Sequence, residues 1–141
     1  MVRGVRGSAV RDRVLDAHAV TSLVEDEACG AVVTFVGVVR NHDRGRSVVA
    51  IEYEGHPSAA QVLGTIAEEV ADAHSGCCVA IEHRVGTLGV GDTAMVAAVS
   101  APHRSVAFLA ASELVDLVKE RLPVWKRQVF ADGTDEWTGA A

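Results

Sequence analysis

The chain alternates short apolar segments of strand length with longer segments whose apolar residues recur at helical spacing. Gly30 to Val39 is rich in β-branched residues and is apolar on both faces, which predicts a strand in the middle of a covered sheet. Shorter apolar runs predict further strands at Val10 to Leu15, Val48 to Tyr53, Cys77 to His83, Thr93 to Ser100 and Val124 to Ala131.

Three helices are predicted between these strands. Asp16 is a suitable N-cap for the first helix, and Pro123 terminates the third. The predicted helices run from Ala17 to Ala28, from about His56 to His74 and from His103 to Leu122.

The resulting order, β-α-β-β-α-β-β-α-β, predicts a single α+β domain. We expect this domain to span residues 9–138, behind a loose basic N-terminal tail at residues 1–8. The polar segment Asn41 to Arg46 is predicted to be a mobile surface loop, and Gly86 to Gly91 a turn between two strands.

Composition narrows the class of protein. A chain of 141 residues, 49% of them hydrophobic, can bury one sizeable core. Its longest apolar runs, Ala31 to Val39 and Ala94 to Val99, are too short to cross a bilayer, and residues 1–13 lack the pattern of a signal peptide, so we expect a cytoplasmic protein. A net charge of -6 argues against a nucleic-acid binder with a basic surface, so any anionic ligand must be bound by a local group of cations.

The cysteines and histidines predict no metal site. Cys29, Cys77 and Cys78 are odd in number and two are adjacent, so we interpret them as reduced packing residues; a catalytic or persulfide-carrying thiol is the alternative. The histidines show no spacing typical of metal ligands. We therefore expect neither a metal nor a cofactor.

The basic residues point to candidate chemistry. They comprise 11 Arg and only two Lys, and an amine can lose its proton near neutral pH where a guanidinium cannot. Lys119 lies in the last turn of the third helix and Lys126 in the following strand, so the intervening corner can bring them together. The alternative is an ordinary surface lysine at position 119, paired with Asp116 and favoured by the helix dipole.

Three more residues are candidates for an anion site. His103 and Arg104 open the third helix, where free N–H groups and a guanidinium suit a phosphate or carboxylate; a capping His and a solvated Arg are the alternative. Arg40 ends a buried strand, where ligands often bind. Cations gathered around a partly buried amine lower its pKa, which allows the amine to act as a base or nucleophile.

These residues lie within an ordered set of motifs that closely resembles the large, catalytic subunit of molybdopterin synthase over about Ala28 to Trp137. The last motif, which contains both lysines around a Pro-x-Trp-Lys sequence, is the most specific. The motifs are Gly30-Ala-Val-Val-Thr-Phe-Val-Gly-Val-Val-Arg40, Tyr53-Glu54, Glu82-His-Arg-Val-Gly-Thr-Leu88, His103-Arg-Ser-Val-Ala-Phe108 and Leu117-Val-Lys-Glu-Arg-Leu-Pro-Val-Trp-Lys126.

The resemblance implies an α/β hammerhead-like fold with additional antiparallel strands and a sulfurtransferase of molybdenum-cofactor biosynthesis. In that family, cyclic pyranopterin monophosphate is converted to molybdopterin with sulfur from the C-terminal thiocarboxylate of a small ubiquitin-like subunit. The large subunits form a homodimer within a heterotetramer. The resemblance implies no binding to nucleic acid or to a membrane.

The resemblance also implies roles for individual residues. Lys119 matches the lysine regarded as essential in the family, and Lys126 matches its second active-site lysine. The residues that match the pterin and phosphate pocket are Phe35, Arg40, His103 and Arg104.

Two other functions remain as hypotheses. Gln128 stands where the family pattern has an acidic residue, which leaves open a non-catalytic subunit that binds a ubiquitin-like partner or a phosphorylated pterin. A persulfide relay through Cys77 or Cys78 is the other hypothesis.

Overall fold

Two β-sheets and three helices make up the computed structural model, which describes residues 4–139. The helices are α1 (Ala17–Leu23), α2 (Ala59–Ala73) and α3 (Arg104–Arg121). The strands are β1 (Gly4–Arg11), β2 (Ala31–Val38), β3 (His42–Asp43), β4 (Arg46–Gly55), β5 (Cys78–Arg84), β6 (Gly86–Gly89), β7 (Thr93–Ala101), β8 (Val124–Phe130) and β9 (Asp135–Gly139).

The first sheet has the strand order β1-β5-β7-β2, with β1 parallel to β5 and the other pairs antiparallel. Its two central strands alternate between two apolar layers. Val79 and Ile81 of β5 pack in the main core with α2 and α3, whereas Ala80 packs with Val20 of α1 on the opposite face. Because both faces are covered, these strands are apolar at almost every position.

The second sheet is antiparallel and follows the order β3-β4-β8-β9, with β6 paired to β4. Its inner face joins the main core through Ile51, Leu88 and Phe130. The register places Lys126 of β8 directly opposite Tyr53 of β4. Side chains alternate along β8, so burial of its apolar face also fixes which of its side chains point inward.

The predicted α+β fold is confirmed, and most predicted elements are present with boundaries shifted by a few residues. Asp16 caps α1 as expected, because its side chain accepts a hydrogen bond from the N–H of Ala19 at 3.1 Å. The helix ends at Leu23 rather than Ala28, where Val24 turns into a buried position beneath the first sheet.

The predicted N-terminal tail is wrong for residues 4–8, which belong to β1, while residues 1–3 lie outside the described residues. Gly4, Gly7 and Ser8 carry little strand propensity, and pairing with β5 supplies what the local sequence lacks. A Cβ at Gly7 would lie 2.9 Å from Leu23 Cδ1, so a larger residue here would displace the exposed side chain of Leu23, which packs from α1 onto β1.

Three short strands were not predicted. Part of the expected loop forms β3, part of the expected glycine turn forms β6, and the segment after Asp132 forms β9. Each pairs with a strand of the second sheet, so it exists through hydrogen bonds to another segment rather than through its own composition.

Candidate active site

The corner between α3 and β8 brings the two lysines together. Lys119 lies in the last turn of α3, and Pro123 ends the helical segment before β8 carries Lys126 back along the second sheet. The carbonyl of Pro123 accepts a hydrogen bond from the N–H of His56 at 2.9 Å, which fixes the corner against the start of α2. The charge of Lys119 lowers the pKa of Lys126, so the two amines are electrostatic neighbours as predicted.

Lys126 is half-buried because it occupies the inner face of β8, in line with Val124, Gln128 and Phe130. Desolvation of its ammonium group is the main cause of its lowered pKa. Thr138 of β9 lies directly opposite, and its Oγ1 is buried without a hydrogen-bond partner among residues 4–139. A half-buried amine beside an unsatisfied hydroxyl is suited to contact a bound ligand.

The segment after β2 adds further charges to this site. Arg40 and Arg44 also lower the pKa of Lys126, whereas the carboxylate of Asp43 raises it. Arg40 Nη2 lies 3.3 Å from Asp43 Oδ1. We refer to Lys119, Lys126, Arg40, Arg44 and Asp43 together as the lysine cluster.

Sequence reasoning missed His83, which lies beneath the lysine cluster. The imidazole is 1% exposed, its ring meets the edge of Tyr53 at 5.2 Å between centroids, and its Nδ1–H donates to the carbonyl of Arg84 at 2.8 Å. Burial, with a smaller contribution from the charge of Lys119, lowers the pKa of His83 to about 4. The signal in the sequence is a lone histidine inside the apolar strand β5.

We expect the stability of the protein to fall on acidification because of His83. The unfolded chain binds a proton on this histidine near pH 6.5 and the folded chain only near pH 4, so stability present at pH 7 is lost as the pH falls between these values. The shift corresponds to about 3 kcal/mol. Urea unfolding at pH 7 and pH 4.5 should show a smaller pH effect in a His83→Gln variant; an equal effect would contradict this origin.

Two predicted site residues lie far from the lysine cluster, and a third, Phe35, lies in a groove that reaches the same end of α3. His103 and Arg104 are exposed at the start of α3, about 22 Å from Lys119 along the helix axis. Phe35 lies in the middle of β2, about 16 Å before Arg40 along the strand. It lines an open groove of about 420 Å³ together with Phe108 and Val115 of α3. One chain therefore assembles Lys119, Lys126 and Arg40. The groove of Phe35 reaches Val115, one helical turn before Lys119, whereas His103 and Arg104 lie at the far end of α3.

The cysteines do not form a reactive site with these groups. Cys77 and Cys78 are buried, and burial raises the pKa of the Cys77 thiol. A sulfur relay requires an accessible thiolate, so neither residue suits that role. Within residues 4–139, no group of three or more potential metal ligands occurs, and none of the described helices is long and apolar enough to span a membrane.

Comparison with known families identifies the relationship implied by the motifs. The family described as MoaE protein matches residues 10–121, which include Lys119 and all three described helices but end before Lys126. The chain belongs to the MoaE family. The resemblance recognised from the sequence is thereby confirmed.

Individual proteins are similar to this chain in sequence, in fold or in both. The molybdopterin synthase catalytic subunit of Bacillus subtilis (strain 168) is 36% identical over 126 residues, which are 89% of this chain and 80% of the relative. The X-ray structure of molybdopterin synthase from Staphylococcus aureus is 32% identical to this chain and superposes on it with a TM-score of 0.88. The aligned region covers 94% of this chain and 96% of the Staphylococcus aureus chain. A complex of subunits 1 and 2 of molybdopterin-converting factor from Helicobacter pylori 26695 shares the fold at 16% identity, with a TM-score of 0.70 over 95% of this chain and 89% of that one.

Proposed function

We propose that this chain is the catalytic subunit of a molybdopterin synthase, which converts cyclic pyranopterin monophosphate to molybdopterin. The sulfur is delivered as a thiocarboxylate at the C-terminus of a small ubiquitin-like subunit. The lysine cluster carries the proposal, because substrate and sulfur donor are both anions and this acidic protein gathers four cations at one site. The names of its MoaE relatives support the same activity.

Lys119 is assigned to the reacting sulfur. Its amine is exposed at the end of α3, with no hydrogen bond or ion pair in the part of the chain that the structure describes, so it is free to meet an incoming thiocarboxylate. There it acts as a base or as a cation that stabilises the charge developed when sulfur attacks the pterin.

Lys126 and Arg40 are assigned to the phosphate of the substrate. A half-buried ammonium group gives a stronger electrostatic interaction than an exposed one, and the guanidinium provides paired N–H donors for phosphate oxygens. Together they hold the phosphate as its ring opens. The lowered pKa of Lys126 also makes its proton easier to transfer near neutral pH.

We assign His103 and Arg104 to the pocket of a second copy of the chain, within a homodimer that forms part of a heterotetramer, and Phe35 to the wall of the groove beside Lys119. The face that carries Phe35 and the first half of α3 is apolar and exposed, with Phe108 62% and Leu109 60% exposed. β2 is also an edge strand of the first sheet, available for contact with another chain. Association through this face supplies Arg104 to the phosphate and His103 as a proton carrier.

The remaining parts of the proposal concern the protein as a whole. The described residues from β1 to β9 act as one unit, because the two sheets share a continuous core. The protein works in the cytoplasm, where a reduced environment keeps its three cysteines free.

Reconstitution tests the proposal directly. The purified chain, incubated with cyclic pyranopterin monophosphate and a thiocarboxylated small subunit, is expected to yield the dithiolene product; a small subunit with an ordinary C-terminal carboxylate is the control. Tight binding of the partner without product would contradict catalysis and favour a binding subunit.

A further inference from the structure

Asp43 is the one carboxylate among the charges that shift the pKa of Lys126, where it opposes two arginines and Lys119. Its side chain is 26% exposed and accepts a hydrogen bond from Arg40 Nη2 at 3.3 Å. The backbone fixes this position, because β3 pairs Asp43 with Arg46 of β4 and the chain reverses through Arg44 and Gly45, both with positive φ. The carboxylate of Asp43 is thus held beside the cations of the lysine cluster.

The pairing of Asp43 with Arg40 is weak enough to exchange. Arg40 is 68% exposed, and ion pairs between solvated side chains contribute little net stability. A phosphate group presents more acceptor oxygens to a guanidinium and to a neighbouring ammonium than one carboxylate does. A phosphate that enters the cluster therefore competes with Asp43 for Arg40.

We propose that Asp43 is a specificity-determining residue whose carboxylate competes with a phosphate group for Arg40 in the lysine cluster and releases Arg40 when phosphate binds. The carboxylate lowers the affinity of the cluster for anions in general, so that weakly charged anions are excluded and phosphorylated products are released. The identity of the phosphorylated ligand rests on the proposed function, whereas the exchange itself concerns only the residues of this site.

Inorganic phosphate and lysine-selective NMR test the exchange without turnover. The chain contains two lysines, so ¹³Cε-lysine labelling yields two signals, assigned with Lys119→Arg and Lys126→Arg variants. Phosphate should bind the Asp43→Asn variant about fivefold more tightly than wild type, because a negative charge next to the anion is removed. The pKa of Lys126 should also fall in this variant, because the carboxylate that raises it is lost.

Two further variants serve as controls. Asp43→Glu keeps the charge and should restore the phosphate affinity of the wild type. Asp135→Asn removes an aspartate that pairs with Arg127 at 3.0 Å and does not contribute to the charges around Lys126, so it should leave phosphate binding unchanged. Equal phosphate affinities in wild type and Asp43→Asn would overturn the inference.

Turnover separates this inference from the proposed function. In the reconstituted reaction, Asp43→Asn should lower KM and also kcat, because both substrate and phosphorylated product are held more tightly. If wild type forms no product while Asp43→Asn still tightens phosphate binding, the synthase assignment fails and the role of Asp43 stands. If turnover is normal and KM is unchanged in the variant, the role of Asp43 fails and the synthase assignment stands.

Discussion

Replacement of Lys119 by alanine is expected to lower kcat for dithiolene formation by about 10²-fold or more, the loss typical for removal of a group that stabilises transition-state charge. Lys119 is the exposed amine of the lysine cluster, and its charge acts on both Lys126 and His83. The measurement is single-turnover formation of product with excess thiocarboxylated partner. Because the side chain is exposed, the unfolding free energy should change by less than about 1 kcal/mol.

Two variants make this result specific. Glu120→Ala alters the neighbouring exposed residue in the same helical turn and should retain activity. Lys119→Arg keeps the positive charge but removes a titratable amine, so it separates electrostatic stabilisation from proton transfer. Turnover at the rate of wild type in Lys119→Ala would contradict the assignment of this residue.

Mixing two inactive variants is expected to restore activity if each pocket uses residues from two chains. Lys119→Ala and Arg104→Ala each remove a different cation from the proposed pocket. The structure places these two residues at opposite ends of α3. When the two variants exchange chains at random, half of the dimers contain one chain of each variant. Each such dimer has one intact site and one inactive site, so about a quarter of wild-type activity should return. The assay follows product after the variants are mixed under conditions that allow exchange of chains.

The same mixture distinguishes the alternatives. If Arg104 serves the lysine cluster of its own chain, every site in the mixture lacks one residue and activity stays at the level of the separate variants. Phe108→Asp places a charge on the exposed apolar face and should yield monomers without activity. Full activity of a monomeric Phe108→Asp variant would contradict the shared pocket.

The helices and the central strands were predictable because their apolar periodicity matches their surroundings. β7 is buried at almost every position and was recognised from a continuous apolar run, and Asp16 caps α1 as its residue type suggested. β1, by contrast, contains three residues with weak strand propensity, and its hydrogen bonds come from β5, more than 70 residues away. Pairing between distant segments leaves little trace in the local composition of either strand.

The candidate site was predictable only in part. The scarcity of lysine and the corner at Pro123 indicate Lys119 and Lys126, and the end of a buried strand indicates Arg40. The sequence places Asp43 in a predicted loop and His83 at the end of a predicted strand within one of the family motifs, and it predicts no role for either. Their contributions depend on which charges surround them after folding, and a linear sequence does not specify those neighbours.

The sequence by itself determined the α+β class, the MoaE family and the two amines, because residue type and periodicity are local properties that the chain carries before it folds. Only the tertiary structure decided that Lys126 is half-buried, that Asp43 faces the cations and that His83 is neutral beneath them. Burial and proximity to other charges set the pKa and the strength of an ion pair, and both arise when segments remote in sequence pack together. The length of α3 alone, already predicted from the sequence, separates His103 and Arg104 from Lys119 within one chain and directs the search for the complete pocket to a second copy.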